Sequence, residues 1–109
     1  MSTLLILYLA AGTLLMLLSL PLLYRKIGPN PIYGVRVPKT LNNPEIWYAT
    51  NACAARYLFA AGGSIVIAAV LLYFIPGLSV DTYALACLGV FGVVFGFGLY
   101  QIFRFLRRQ

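Results

Sequence analysis

Long apolar runs and short polar breaks alternate along the chain, and three of the runs are long enough to cross a bilayer. Leu4 to Leu23 carries no charged side chain, and a helix of about 20 residues at 1.5 Å each spans a hydrocarbon core of about 30 Å. Tyr57 to Ile75 is the second run and stops at Pro76-Gly77, where proline and glycine break a helix. Tyr83 to Phe103 is the third, with Gln101 as its one strongly polar side chain. The short turn between the last two predicts an antiparallel hairpin. The expected elements are helix one over about 4–23, helix two over about 44–75 and helix three over about 82–104.

The first run reads as a retained helix and not as a secretory leader. Met1, Ser2 and Thr3 bring no side-chain positive charge, and Tyr24, Arg25 and Lys26 stand where the small residues of a cleavage site would follow.

The connector after it, about 24–56, is of another kind. Pro29, Pro31 and Pro38 oppose helix, and Gly34 permits a tight turn. Asn43-Pro44-Glu45 then reads as a helix start, with an N-cap, a proline at the first helical position and an acid near the positive dipole end. A helix from Pro44 to Ile75 would be about 48 Å long, more than the membrane needs. The membrane part is expected at 57–75, with the first three turns belonging to a structured cap. On those turns Trp47, Asn51, Ala55 and Leu58 share one face, and Glu45, Ala49, Ala52 and Arg56 share another. The plainer alternative is a solvated basic loop whose charges only set topology.

Composition supports the membrane reading: 62% of the 109 residues are hydrophobic and 9% charged, with a mean hydropathy of +0.93. Soluble domains run nearer a quarter charged. The net charge is +6, and it is unevenly placed. Arg25, Lys26, Arg36, Lys39 and Arg56 surround the connector, and Arg104, Arg107 and Arg108 end the chain. The positive-inside bias puts the connector and C-terminus in the cytoplasm and the N-terminus outside. Aromatic belts are expected at both interfaces, with Tyr24, Tyr33, Trp47, Tyr48, Tyr57 and Tyr100 on the basic side and Tyr73, Phe74 and Tyr83 on the other. Anionic lipid headgroups are the expected partners of the cations, and nucleic acid is not.

Chemistry by the side chains is thinly provided for. The sequence has no histidine and two acids, Glu45 and Asp81, at opposite ends of the spans. No phosphate-cradling glycine loop or metal-ligand spacing occurs, so neither catalysis, nor a cofactor, nor a metal is expected. Cys53 and Cys87 sit in apolar stretches and read as free buried thiols. Small residues carry a different signal. Gly89, Gly92 and Gly96 lie on one face of helix three and Ala60, Ser64 and Ala68 on one face of helix two. Such faces let backbones approach closely, either within the hairpin or across a homo-oligomer seam. Gly12, Met16 and Ser19 form a third face, on helix one.

The order Asn30-Pro31, Tyr33-Gly34, Arg36, Thr40, Leu41, Trp47, Asn51 resembles the signature of the SdpI family of bacterial membrane immunity proteins. There an N-P-x-Y-G-x-R element precedes a Thr, a Trp and an Asn leading into a membrane helix. The motif covers about Asn30 to Arg56, and the hydropathy extends the resemblance over the whole chain as a three-helix core unit. It implies protection of a producing cell, at its plasma (inner) membrane, against a secreted peptide toxin, and in the founding type the holding of a transcriptional repressor at the membrane.

The expectation is therefore an all-α, three-span membrane protein with a cytoplasmic cap, acting by binding on a peptide toxin or a membrane-recruited regulator. The candidate site is Asn30, Tyr33, Gly34, Arg36, Thr40, Glu45, Trp47, Asn51 and Arg56. Arg36 and Lys39 are expected to hold lipid phosphate or a peptide carboxylate, and Trp47 to anchor the interface or cover an apolar ligand. The alternatives are a small oligomeric transport or permeability protein, and a scaffold that self-associates through its glycine faces.

Overall fold

The computed structural model describes residues 2–30 and 34–109. Pro31 and Tyr33 of the motif lie outside the described residues. The described part is all-helical, in the order α1 (Ser2–Leu23), α2 (Pro38–Leu41), α3 (Pro44–Tyr73) and α4 (Val80–Arg107). Three of these, α1, α3 and α4, are long and apolar enough to cross a membrane.

Each boundary has a local cause. Arg25 takes a positive φ of 58° just after α1. The Lys26 amide donates to the Pro21 carbonyl at 2.8 Å and the Arg25 amide to Leu22 at 3.2 Å, which is the Schellman closure of a helix, with arginine where glycine is usual. Asn43 caps α3, its side-chain oxygen accepting from the Glu45 and Ile46 amides at 3.0 and 3.4 Å. Ser79 caps α4, accepting from the Thr82 amide at 3.1 Å. That cap starts α4 at Val80, ahead of the position expected from hydropathy alone, because the polar "SVD" segment serves as the first turn. The α3–α4 turn closes through Gly77 at φ 79°.

α3 is the central element: α1, α4 and α2 all pack on it. Its contact with α1 is a backbone crossing. A Cβ placed on Gly12 would lie 2.6 Å from the Gly62 carbonyl oxygen, and one placed on Gly62 would lie 2.6 Å from that of Gly12. Neither residue can carry a side chain without parting the helices. Lipid leaves helices little hydrophobic reason to associate, so the stabilisation comes from close van der Waals contact and backbone polarity. Towards α4 the close approach is made by Gly98, where a Cβ would meet the Tyr57 Cβ at 2.8 Å.

This corrects the expected hairpin packing. Gly89, Gly92 and Gly96 face open space, with nothing within 4 Å of an added Cβ. Of the matching face on α3, Ala60 is exposed, Ser64 half-buried with its hydroxyl donating to the Ala61 carbonyl at 2.7 Å, and Ala68 buried. The far end of the bundle is closed by tyrosines. Tyr83 is fully buried, so it does not belong to an interfacial belt. Its hydroxyl donates to the Ala69 carbonyl at 2.7 Å, and Tyr8 donates from α1 to Ala84 at 3.2 Å.

These contacts predict a contrast between glycines. Gly62→Val should lower bundle stability by about 1–3 kcal/mol through overpacking, whereas Gly89→Ala should leave the monomer's melting temperature in detergent unchanged or slightly raised. Equal losses in thermal denaturation would contradict the crossing.

Candidate functional site

The connector is folded onto the first turns of α3, and two buried side chains there hold it. Trp47, fully buried, donates its indole N–H to the Ile27 carbonyl at 2.8 Å. One turn on, Asn51 is 1% exposed. Its side-chain oxygen accepts from the Val35 amide at 2.6 Å, and its amide donates back to the Trp47 carbonyl at 3.0 Å. The incoming and middle parts of the connector are thus fastened to one helix face, the face that helical spacing assigns to both residues.

Gly34 makes this approach possible. It sits at φ 110°, a region open to glycine and costly for other residues. A Cβ there would lie 2.6 Å from the Asn51 side-chain oxygen and 3.2 Å from the Trp47 ring. Six residues on, Thr40 in α2 closes the turn at that helix's start. Its buried hydroxyl accepts from the Val37 amide at 3.1 Å and lies within donating distance of the Val35 and Val37 carbonyls, at 2.8 and 2.9 Å. Lys39, on α2, donates to the Leu106 carbonyl at 2.8 Å. A cation at the last carbonyls of α4 complements the helix dipole and ties the connector to the end of the chain.

The sequence-derived site therefore divides in two. Thr40, Trp47 and Asn51 form one buried, hydrogen-bonded group, and half-buried Gly34 packs against Trp47 and Asn51. Asn30 stands at its edge, donating to the Gly28 carbonyl at 2.9 Å. Arg36, Glu45 and Arg56 lie exposed on the outside, and Tyr33 is outside the described residues. Full burial removes Trp47 from the interfacial belt and from direct cover of a ligand, and Lys39 is committed to a backbone carbonyl. Arg25 and Glu45 border one shallow depression with Pro44 and Tyr48.

Beneath the fastened connector lies a half-open cavity of about 280 Å³. Leu22 closes it from α1, Gly34 and Val35 from the connector, Asn51, Ala54, Tyr57 and Leu58 from α3, and Phe95, Gly98, Leu99 and Ile102 from α4. Its walls are overwhelmingly apolar, and the Asn51 amide group at its edge is already engaged. Sequence reasoning missed this space, because it is made by the ends of three helices far apart in the chain. Beside the site, Thr50 is fully buried and its hydroxyl has no hydrogen-bond partner among the described residues.

The family model described as the SdpI/YfhL protein family matches residues 26–103. The chain belongs to this family. Comparisons with curated proteins and with solved structures find no match. The SdpI/YfhL match opens at Lys26, just past α1, and takes in the connector, α2, α3 and nearly all of α4. The fastened connector and the cavity beneath it lie almost wholly inside this family segment, with Leu22 of α1 as the outside contribution. Family membership and the three apolar helices together make the chain a multi-pass membrane protein.

Two substitutions separate the roles of neighbouring buried polar groups. Asn51→Ala strips the Val35 amide of its acceptor and should cost about 1–3 kcal/mol, with faster amide exchange over 34–41 in hydrogen–deuterium exchange. Thr50→Val removes an unpartnered hydroxyl at nearly constant volume, and should raise the melting temperature by an amount equivalent to about 1 kcal/mol. A destabilised Thr50→Val protein would mean that the hydroxyl has a partner in the membrane.

Proposed function

We propose that the protein is a small plasma-membrane protein of immunity type, which protects its cell from a membrane-active peptide by binding and not by catalysis. The observation that carries this reading is the folded connector: a polar segment inside the family-matched span is held rigidly over an apolar cavity. A slack topogenic loop needs none of the Trp47, Asn51 and Gly34 contacts. In the proposed orientation the connector and C-terminus face the cytoplasm, in keeping with the clustering of cations at that end. The exposed Arg36, Glu45 and Arg56 are then the side chains that meet a peptide carboxylate, a lipid phosphate or a recruited regulator, and the buried group holds the connector that carries Arg36 in shape.

The open glycine face of α4 supports a second reading, self-association. Gly89, Gly92 and Gly96 leave room for another helix to approach. A pathway or scaffold formed by several copies would use this face and leave the connector free.

Survival of sensitive cells challenged with membrane-active peptide toxins decides between them. Native protein should protect. Arg36→Ala, at matched membrane levels, should shift the protective dose by about fivefold, as for the loss of one cation–anion contact worth about 1 kcal/mol. Gly92→Leu should protect as well as native. Protection abolished by Gly92→Leu and untouched by Arg36→Ala would favour the self-association reading.

A further inference from the structure

We propose that the cavity beneath the connector seats one acyl chain of an anionic phospholipid, drawn from the leaflet at the connector's end. The assignment goes beyond the protective role and does not rest on it.

The size of the space comes first. About 280 Å³ is room for about nine methylene-sized groups, taking about 30 Å³ for each as for a water molecule. Along α4 its walls run from Phe95 to Ile102, about 10 Å of helix, which suits the upper part of a chain entering from the headgroup level. Water is a poor occupant, because the lining offers almost no free polar partners. An empty cavity would forfeit the dispersion contacts of its lining. Hydrocarbon restores them, and in a bilayer it is the surrounding solvent.

Charge then selects the lipid. Each flanking helix carries its cations just beyond its last wall residue. Leu22 of α1 is followed by Arg25 and Lys26, and Ile102 of α4 by Arg104, Arg107 and Arg108. All five are exposed. A chain lying between Leu22 and Ile102 would bring its headgroup up between these two sets, where a phosphate with a further negative charge is favoured over a zwitterion. The connector supplies the roof: Gly34 and Val35 border the cavity and are themselves fixed by Asn51.

The single tryptophan makes the test clean. The Trp47 ring lies against Gly34, and Gly34 borders the cavity, so a bromine on a seated chain would quench Trp47 emission. The protein is reconstituted into zwitterionic phosphatidylcholine vesicles doped with traces of either chain-brominated phosphatidylglycerol or chain-brominated phosphatidylcholine. The proposal expects quenching per mole of brominated lipid to be about fivefold greater for the anionic lipid, and to be reversed by excess unbrominated phosphatidylglycerol. Ala54→Phe, which fills the cavity, should bring quenching down to that of the bulk lipid while leaving unquenched Trp47 emission unchanged. Should that variant not insert, Leu99→Phe fills the cavity from its α4 side. Equal quenching by the two lipids would overturn the proposal, as would anionic quenching that survives the inserted cavity-filling variant. Relief of quenching by an apolar peptide but not by excess unbrominated lipid would assign the cavity to a peptide and overturn it as well.

Discussion

Everything at the connector's end of the molecule depends on the Asn51 side-chain amide. A buried carboxamide at the edge of a membrane is costly unless its donors and acceptors are satisfied. Here it receives the Val35 amide and returns a hydrogen bond to the Trp47 carbonyl. That one group gives a part-buried backbone amide of the connector its acceptor. It also sets the distance at which the connector crosses α3. Gly34, Trp47 and Thr40 follow from it: glycine because no side chain fits at that distance, tryptophan because its indole secures the incoming segment, and threonine because it closes the next turn.

A second constraint acts within the spans. Because lipid is as apolar as the helices, the bundle holds by backbone proximity and by hydrogen bonds between helices. Gly12 and Gly62 supply the first for α1, Gly98 with Tyr57 supplies it for α4, and Tyr8 and Tyr83 supply the second at the far end. α3 takes part in nearly all of these contacts. A chain organised around one long helix can leave its two partners apart at the connector's end, and the cavity occupies the space between them.

The legible and illegible parts of this structure differ in kind. Helix identity was legible because apolar runs and capping residues are local: Asn43, Pro44 and Glu45 mark the start of α3 unaided. The face shared by Trp47 and Asn51 was legible from helical spacing. Packing partners were not, because spacing shows that glycines share a face without showing what the face meets. Gly89, Gly92 and Gly96 make the most regular glycine pattern in the chain and point outward, while the contacts are carried by Gly62, one of a run of small residues, and Gly98, on the opposite face of α4. Tyr83 misled for a related reason. A tyrosine near a helix end suits an interface, and only the third dimension reveals the Ala69 carbonyl within its reach. The groups that fasten the connector are largely backbone atoms, at Ile27, Val35 and Leu106, and a backbone atom leaves no signature in a sequence.

The central claim is that the connector is a folded cap fastened to α3. Exchange of the Trp47 indole proton with water tests it most directly, and the one tryptophan gives a single, unambiguous indole signal by NMR in a membrane mimetic. The indole donates to Ile27 from a fully buried position, so the account predicts slow exchange that opens only with local unfolding of the connector. Exchange as fast as that of an exposed indole would contradict it, and would return residues 24–43 to the status of a solvated loop.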